Sequence, residues 1–217
     1  MGPPSEARWP ALFPAHLVKR GSAYSPLCCT IERVTAATRA RRLRDAAAAR
    51  YRPDVVELLL VAEAPPSSLD RYFYFGDVPD QDSLFRYVVR AVLATEPSRP
   101  DKPSELRRLA DLGVFLIDLK PEPKGPGDAL EAYVPGLVAR AAALAPRHVI
   151  TIKANVCDLA QQPLRAAGLH VVDQRTPFPG SGQQRRFLEH MGAALDSMSY
   201  TQMLWMRVKS KAAYLPG

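Results

Sequence analysis

From Val56 onward, apolar runs of strand length alternate with segments whose apolar residues recur every three or four positions. VELLLVAE (56–63), VFLIDL (114–119), HVITIK (148–153) and LHVVDQ (169–174) read as strands. SLFRYVVRAVLA (83–94), SELRRLADLG (104–113), DALEAYVPGLVARAAALA (128–145), a segment at about 154–167 and SGQQRRFLEHMGAAL (181–195) read as helices. Gly113 is expected to stop the second helix and Pro135 to kink the third. Upstream, TIERVTAATRARRLRDAAAARY (30–51) predicts a helix with Thr30 as its cap, Glu32 in its first turn and its arginines on a solvated face. Residues 1–30 are proline-rich and predict an irregular arm. Continuous apolar strands alternating with helices predict an α/β fold whose parallel sheet is covered on both faces.

Length and charge narrow this pattern. A chain of 217 residues suits one domain with a full core: an arm and helix over 1–50, the core at 55–195, an extension at 196–217. A net charge of +7 favours an anionic partner such as nucleic acid. Three cysteines make neither a disulfide framework nor a four-thiolate cluster, which fits a reducing cytoplasm. No apolar run approaches the ~18 residues of a membrane span. The four histidines (16, 148, 170 and 190) stand apart, without metal-ligand spacing. P-loop, GxGxxG and GxSxG motifs are absent from the expected places.

Candidate chemistry collects where such sheets bind ligands, beyond the carboxyl ends of the strands. The four strands end at Glu63, Asp118, Lys153 and the segment 174–182. After Glu63 come the stiffening pair Pro65-Pro66 and four consecutive aromatics, Tyr72-Phe73-Tyr74-Phe75. In an extended segment alternate side chains point opposite ways, so one pair is expected to face a flat ligand such as a nucleobase. Asp118 leads into a Pro/Gly loop carrying Lys120 and Lys124, and either caps the next turn or accepts N–H groups from a substrate. In RTPFPGSGQQRRF, Gly180, Ser181 and Gly182 let backbone amides approach an anion at a helix start. Gln183, Gln184, Arg185 and Arg186 add donors there.

Together these loops resemble the uracil-DNA glycosylase superfamily, in order and spacing, over about residues 55–195. VAEAPP answers the first motif, with Glu63 at its acid, and YFYFGD the segment holding the base-stacking Phe, with Phe75 or Tyr74 as the match. FLIDLKPEP places Asp118 where the family has a uracil-reading Asn. VITIKANVCDLA puts Lys153 in a glycine's place, and FPGSGQQ answers the last motif, with Phe178 at its His. The resemblance implies a three-layer α/β/α sandwich around a short, mainly parallel four-stranded sheet. The cluster cysteines of the iron–sulfur branch are missing, and Ala64 stands where several branches carry a water-activating Asp or Asn. No cofactor or metal is therefore expected.

What the resemblance implies is a DNA repair enzyme, monomeric and cytoplasmic, that flips uracil or a related damaged base into a pocket and hydrolyses its N-glycosidic bond. Glu63 is the first candidate for the catalytic carboxylate and Asp118 the second, with Asp118 also reading the base. Ala64, Pro65, Tyr74, Phe75 and Lys153 would line the base site. Phe178 would plug the stack, while Gly180, Ser181, Gly182, Gln183, Gln184, Arg185 and Arg186 would hold DNA. Lys153 at a strand end fits phosphate pairing better than a Schiff base, which would add strand cleavage. The rival readings are a non-catalytic binder of single-stranded or damaged nucleic acid on the same rim, and an enzyme acting on free nucleotides or another phosphorylated metabolite.

Overall fold

The computed structural model describes residues 26–77, 82–98 and 100–199, with side chains from Ala36 onward. The chain divides into two compact units, Met1–Thr35 and Ala36–Gly217. The expected arm at 1–25 and the tail from Tyr200 lie outside the described residues. Only the start of the first helix falls in the first unit; the other described elements belong to the second. That helix, α1 (Pro26–Ala49), runs through Thr30, so Thr30 is no cap; a proline opens it, where its missing N–H costs nothing. Nor are its arginines all on a solvated face. Arg41 is exposed, but Arg44 is buried, with 3% of its surface accessible.

Three strands form the sheet: β1 (Leu58–Ala62), β2 (Val114–Asp118) and β3 (His148–Thr151), in the order β2-β1-β3 and parallel throughout. β1 is central, with Leu58 opposite both Val114 and His148. All five of its residues are buried, which is why its sequence is unbroken hydrocarbon rather than alternating. The expected fourth strand is reduced to two isolated parallel bridges, Val149–Val171 and Ile152–Thr176. Asp173, Gln174 and Arg175 between the bridges are not buried, so the segment follows β3 without continuous pairing.

Helices α2 (Ser83–Leu93) and α3 (Lys102–Asp111) connect β1 to β2. Asp82 caps α2, its carboxylate accepting from Phe85 N at 3.2 Å, and Leu84, Phe85, Val88, Val89 and Val92 form the buried stripe. Beyond α3 the chain turns on Gly113 at φ 78°, where a Cβ would stand 2.6 Å from Glu57 Cγ and 2.9 Å from Val55 O. Only glycine fits there. Between β2 and β3, Pro135 opens a helix instead of kinking one. A 3-10 turn (Leu130–Tyr133) precedes α4 (Val134–Leu144), and the proline sits in the first turn, where it removes no needed donor. Last come α5 (Ala154–Ala166) and α6 (Gln184–Ser197), which pack on α4 and α2 respectively.

Because the chain leaves β1 for one side of the sheet and returns to the other, β1 and β3 diverge at a topological switch point, where α/β proteins bind ligands. The histidines expected to stand apart do not all do so. His148 Nδ1 and His170 Nδ1 lie 2.9 Å apart near the start of β3, at the opposite end of the sheet from the switch point. No group of three or more His, Cys, Asp or Glu side chains suited to a metal occurs among the described residues. Likewise, no described helix is long and apolar enough to cross a membrane.

Candidate functional site

The parallel ladder continues past the strand ends and ties the rim loops together. Ile152 N donates to Val61 O (2.8 Å), Leu119 N to Ala62 O (2.8 Å), Lys120 N to Glu63 O (3.0 Å) and Lys153 N to Thr176 O (2.8 Å). Four chain-distant tips are thereby held side by side by backbone bonds. They enclose a cavity of about 350 Å³, at the small end of the range for ligand sites, lined by Glu63, Asp118, Lys153, Tyr72, Phe73 and Phe178 among others. Ala64 and Pro65 form part of the same wall.

Glu63 sits at the centre of a hydrogen-bonded knot at the β1/β3 switch point. Lys153 Nζ donates to Oε2, Asn155 Nδ2 to Oε1, and Lys124 Nζ lies 3.4 Å from Oε1. Burial pushes the carboxyl up, but the bonds from Lys153 and Asn155 and the charges of Lys153 and Lys124 outweigh it, so Glu63 stays below the ordinary glutamate range. It is an anion at neutral pH. Asn155 escaped the sequence reading; its signal is position alone, in the first turn of the helix that follows β3.

Asp118 has the opposite character. Burial pushes its carboxyl up to about 7, while the Arg140 and Arg44 guanidinium groups pull it down and Asp82 adds to the rise. Arg140 braces the end of β2, its two Nη atoms donating to Asp118 O (3.0 Å) and Leu119 O (2.9 Å). Arg44 donates to Pro66 O at 2.8 Å, fixing the loop after Glu63. The cavity thus holds a pair of carboxyl groups that differ in protonation near pH 7, one firmly ionised and one poised to gain or lose a proton. Environments that drive neighbouring acids apart in this way mark acid and base roles.

The aromatic run is not extended, contrary to expectation. Phe75 N bonds back to Tyr72 O (3.0 Å), the chain turns, and Tyr72, Phe73 and Tyr74 are all buried. Tyr74 does not reach the cavity. Its hydroxyl accepts from Leu116 N (2.6 Å) and donates to Leu116 O (3.1 Å), clipping the loop to β2. Phe75 is half-buried with its ring against Tyr72, at 5.1 Å between centroids. The rings that face the cavity are Tyr72 and Phe73. A buried lysine supports them: Lys102 Nζ donates to Tyr72 O at 2.9 Å, and burial lowers its amine to about 8 against the pull of Asp82.

Phe178 is exposed and lines the cavity from the fourth tip. Its ring packs on Gly180, where an added Cβ would meet two ring carbons at 3.1 Å. Two amides of the Gly-rich turn are spent inside it, Gly180 N on Phe178 O and Gln183 N on Gly180 O. Ser181 and Gly182 adopt positive φ and are exposed. Gln183, Gln184, Arg185 and Arg186 stand beyond the cavity lining at the start of α6; Arg185 faces Glu189 at 3.3 Å in a solvated pair. The other loop lysine, Lys120, is buried and bonds Asp128 and Pro123 O, which folds the loop on itself. No family model matches the chain, and no curated protein matches it.

Proposed function

We propose that the protein is a DNA glycosylase that takes uracil, or a related damaged base, out of the stack and hydrolyses its N-glycosidic bond in this cavity. The observation carrying the reading is the pairing of a fixed carboxylate with a poised acid inside one aromatic-walled slot at the strand ends. The reading includes the three-layer sandwich, with the segment 169–176 as a rudimentary fourth strand beside β3, and a cytoplasmic monomer acting on DNA without a cofactor.

In this mechanism the flipped base lies against Tyr72 and Phe73. Neutral Asp118 presents a carbonyl that accepts from ring N3–H and a hydroxyl that donates to a ring oxygen, the same pattern an Asn side chain offers. As the glycosidic bond breaks, electron density moves onto the base, and Asp118 hands it a proton. The sugar, now with oxocarbenium character, faces ionised Glu63, and water adds at C1′, its surplus proton returning Asp118 to the neutral form. Phe178 fills the gap left in the stack.

An oligonucleotide with one uracil, incubated with the protein and then treated with alkali, is expected to break at the uracil. Glu63→Gln keeps the shape but removes the anion, and the rate should fall on the order of 10²–10³-fold. Binding without base release would replace the enzyme with a non-catalytic binder of the same DNA. Equal action on free nucleotides, independent of strand length, would make it a metabolite enzyme.

A further inference from the structure

In the reaction just described Lys153 only holds Glu63 ionised, yet its backbone singles it out. It adopts φ 85° and ψ 137°, close to a region that is almost exclusively glycine's. Holding a side chain there strains the backbone. The conformation is locked from both sides, Lys153 N donating to Thr176 O (2.8 Å) and Lys153 O accepting from Cys157 N (3.0 Å). What the strain secures is the position of an amine. Lys153 lines the slot and places Nζ on Glu63 Oε2, while Oε1 is held separately by Asn155 and Lys124. The carboxylate would therefore stay anchored through Oε1 if Oε2 took a proton. An amine with its proton acceptor in direct contact, inside a cavity that also holds Asp118 and Tyr72, is equipped for covalent chemistry on a carbonyl.

We infer that Lys153 is a nucleophile that condenses with an aldehyde in the slot, the ring-opened deoxyribose of an abasic site, and so adds strand cleavage to base removal. The inference rests on the glycosylase reading for the origin of that sugar. Lys153 passes its proton to Glu63, and the neutral amine attacks C1′, forming a C–N bond as the carbonyl π bond opens. The resulting carbinolamine loses its hydroxyl as water, with the proton returned by Glu63, leaving an iminium. This acidifies C2′; Glu63 removes the C2′ proton, and the electron pair expels the 3′-phosphate by breaking the C3′–O bond. Hydrolysis of the imine restores the lysine. No oxidant, reductant or metal enters the balance.

The test uses the full-length protein and two oligonucleotides, one carrying a preformed abasic site and one carrying uracil. Borohydride reduces an imine to a stable amine, so the wild type should yield a protein–DNA adduct on the abasic strand. Lys153→Gly suits the backbone and removes the amine; its adduct yield should drop at least ~10-fold, as loss of the nucleophile requires. Lys153→Arg, which keeps a positive charge beside Glu63 but cannot condense with an aldehyde, should lose the adduct to the same extent. Absence of an adduct with the wild type, or an undiminished adduct in Lys153→Gly, overturns the inference. The abasic strand needs no base release, so an adduct there without uracil release sinks only the glycosylase reading. Uracil release without an adduct sinks only the lysine.

Discussion

At the scale of the residue, the decisive contrast is between two carboxyl groups that share one cavity and titrate apart. Glu63 is surrounded by donors that favour its charge, whereas Asp118 is dominated by desolvation. The folded Asp118 titrates near 7 and an unfolded one near 3.8, so the folded state binds more protons between those values. Asp118 then weakens the fold as pH rises through that window, and the loss is complete above about 7. Asp118→Asn, neutral at every pH, should therefore be more stable than the wild type at pH 8, by on the order of 1–3 kcal/mol, and equal to it near pH 4. Urea unfolding at the two pH values measures this, and an equal difference at both would remove the poised acid from the mechanism. Both acids were legible as types at strand ends. Their division of labour was not, because it depends on Arg44, Arg140 and Asn155, which come from three other elements.

Element by element, the hydrophobic periodicity locates α2, α3, α5, β1, β2 and β3 to within a few residues. Two elements depart from it for local reasons. Pro135 starts α4 because a proline at the first turn forfeits no hydrogen bond, and LHVVDQ stays a bridged segment because only its two valines are buried. Gly113 is the stop that its place in the sequence predicts, and the structure adds how tightly it is fitted. Gly113→Ala combines a left-handed backbone with a Cβ driven into Glu57 and Val55, and should cost about 1–3 kcal/mol. A fall in the denaturation midpoint with an unchanged slope would bear this out. A neutral substitution would mean that the turn between α3 and β2 can move, and with it the register that brings Asp118 level with Ala62.

For the molecule as a whole, the formal charge of +7 has consequences that no single contact carries. If Arg185 and Arg186 at the start of α6 meet phosphates, binding to a uracil-containing single strand should weaken linearly in log–log plots against salt, with a slope of about −0.7 per phosphate neutralised. Arg185→Gln with Arg186→Gln should make that slope shallower by about 1.4, read by fluorescence anisotropy across a salt series. An unchanged slope would place the nucleic-acid path elsewhere on the surface. Neither arginine lines the cavity, so base release at saturating DNA should be spared. A parallel loss there would mean that α6 also shapes the slot.

The sequence alone determined the alternation of buried strands with amphipathic helices, and through it that Glu63, Asp118, Lys153 and the loop around Phe178 belong to one rim. Periodicity encodes burial, and parallel strands put their carboxyl ends on one side. The fold alone decided which rings face the slot. A single turn bond from Phe75 N to Tyr72 O reorients the whole aromatic run, exchanging Tyr74 and Phe75 for Tyr72 and Phe73. It also decided that Lys153 turns inward to Glu63 rather than outward to a phosphate, because its φ is set by Thr176 and Cys157. Side-chain direction and protonation depend on neighbours distant along the chain, and those neighbours meet only in the folded molecule.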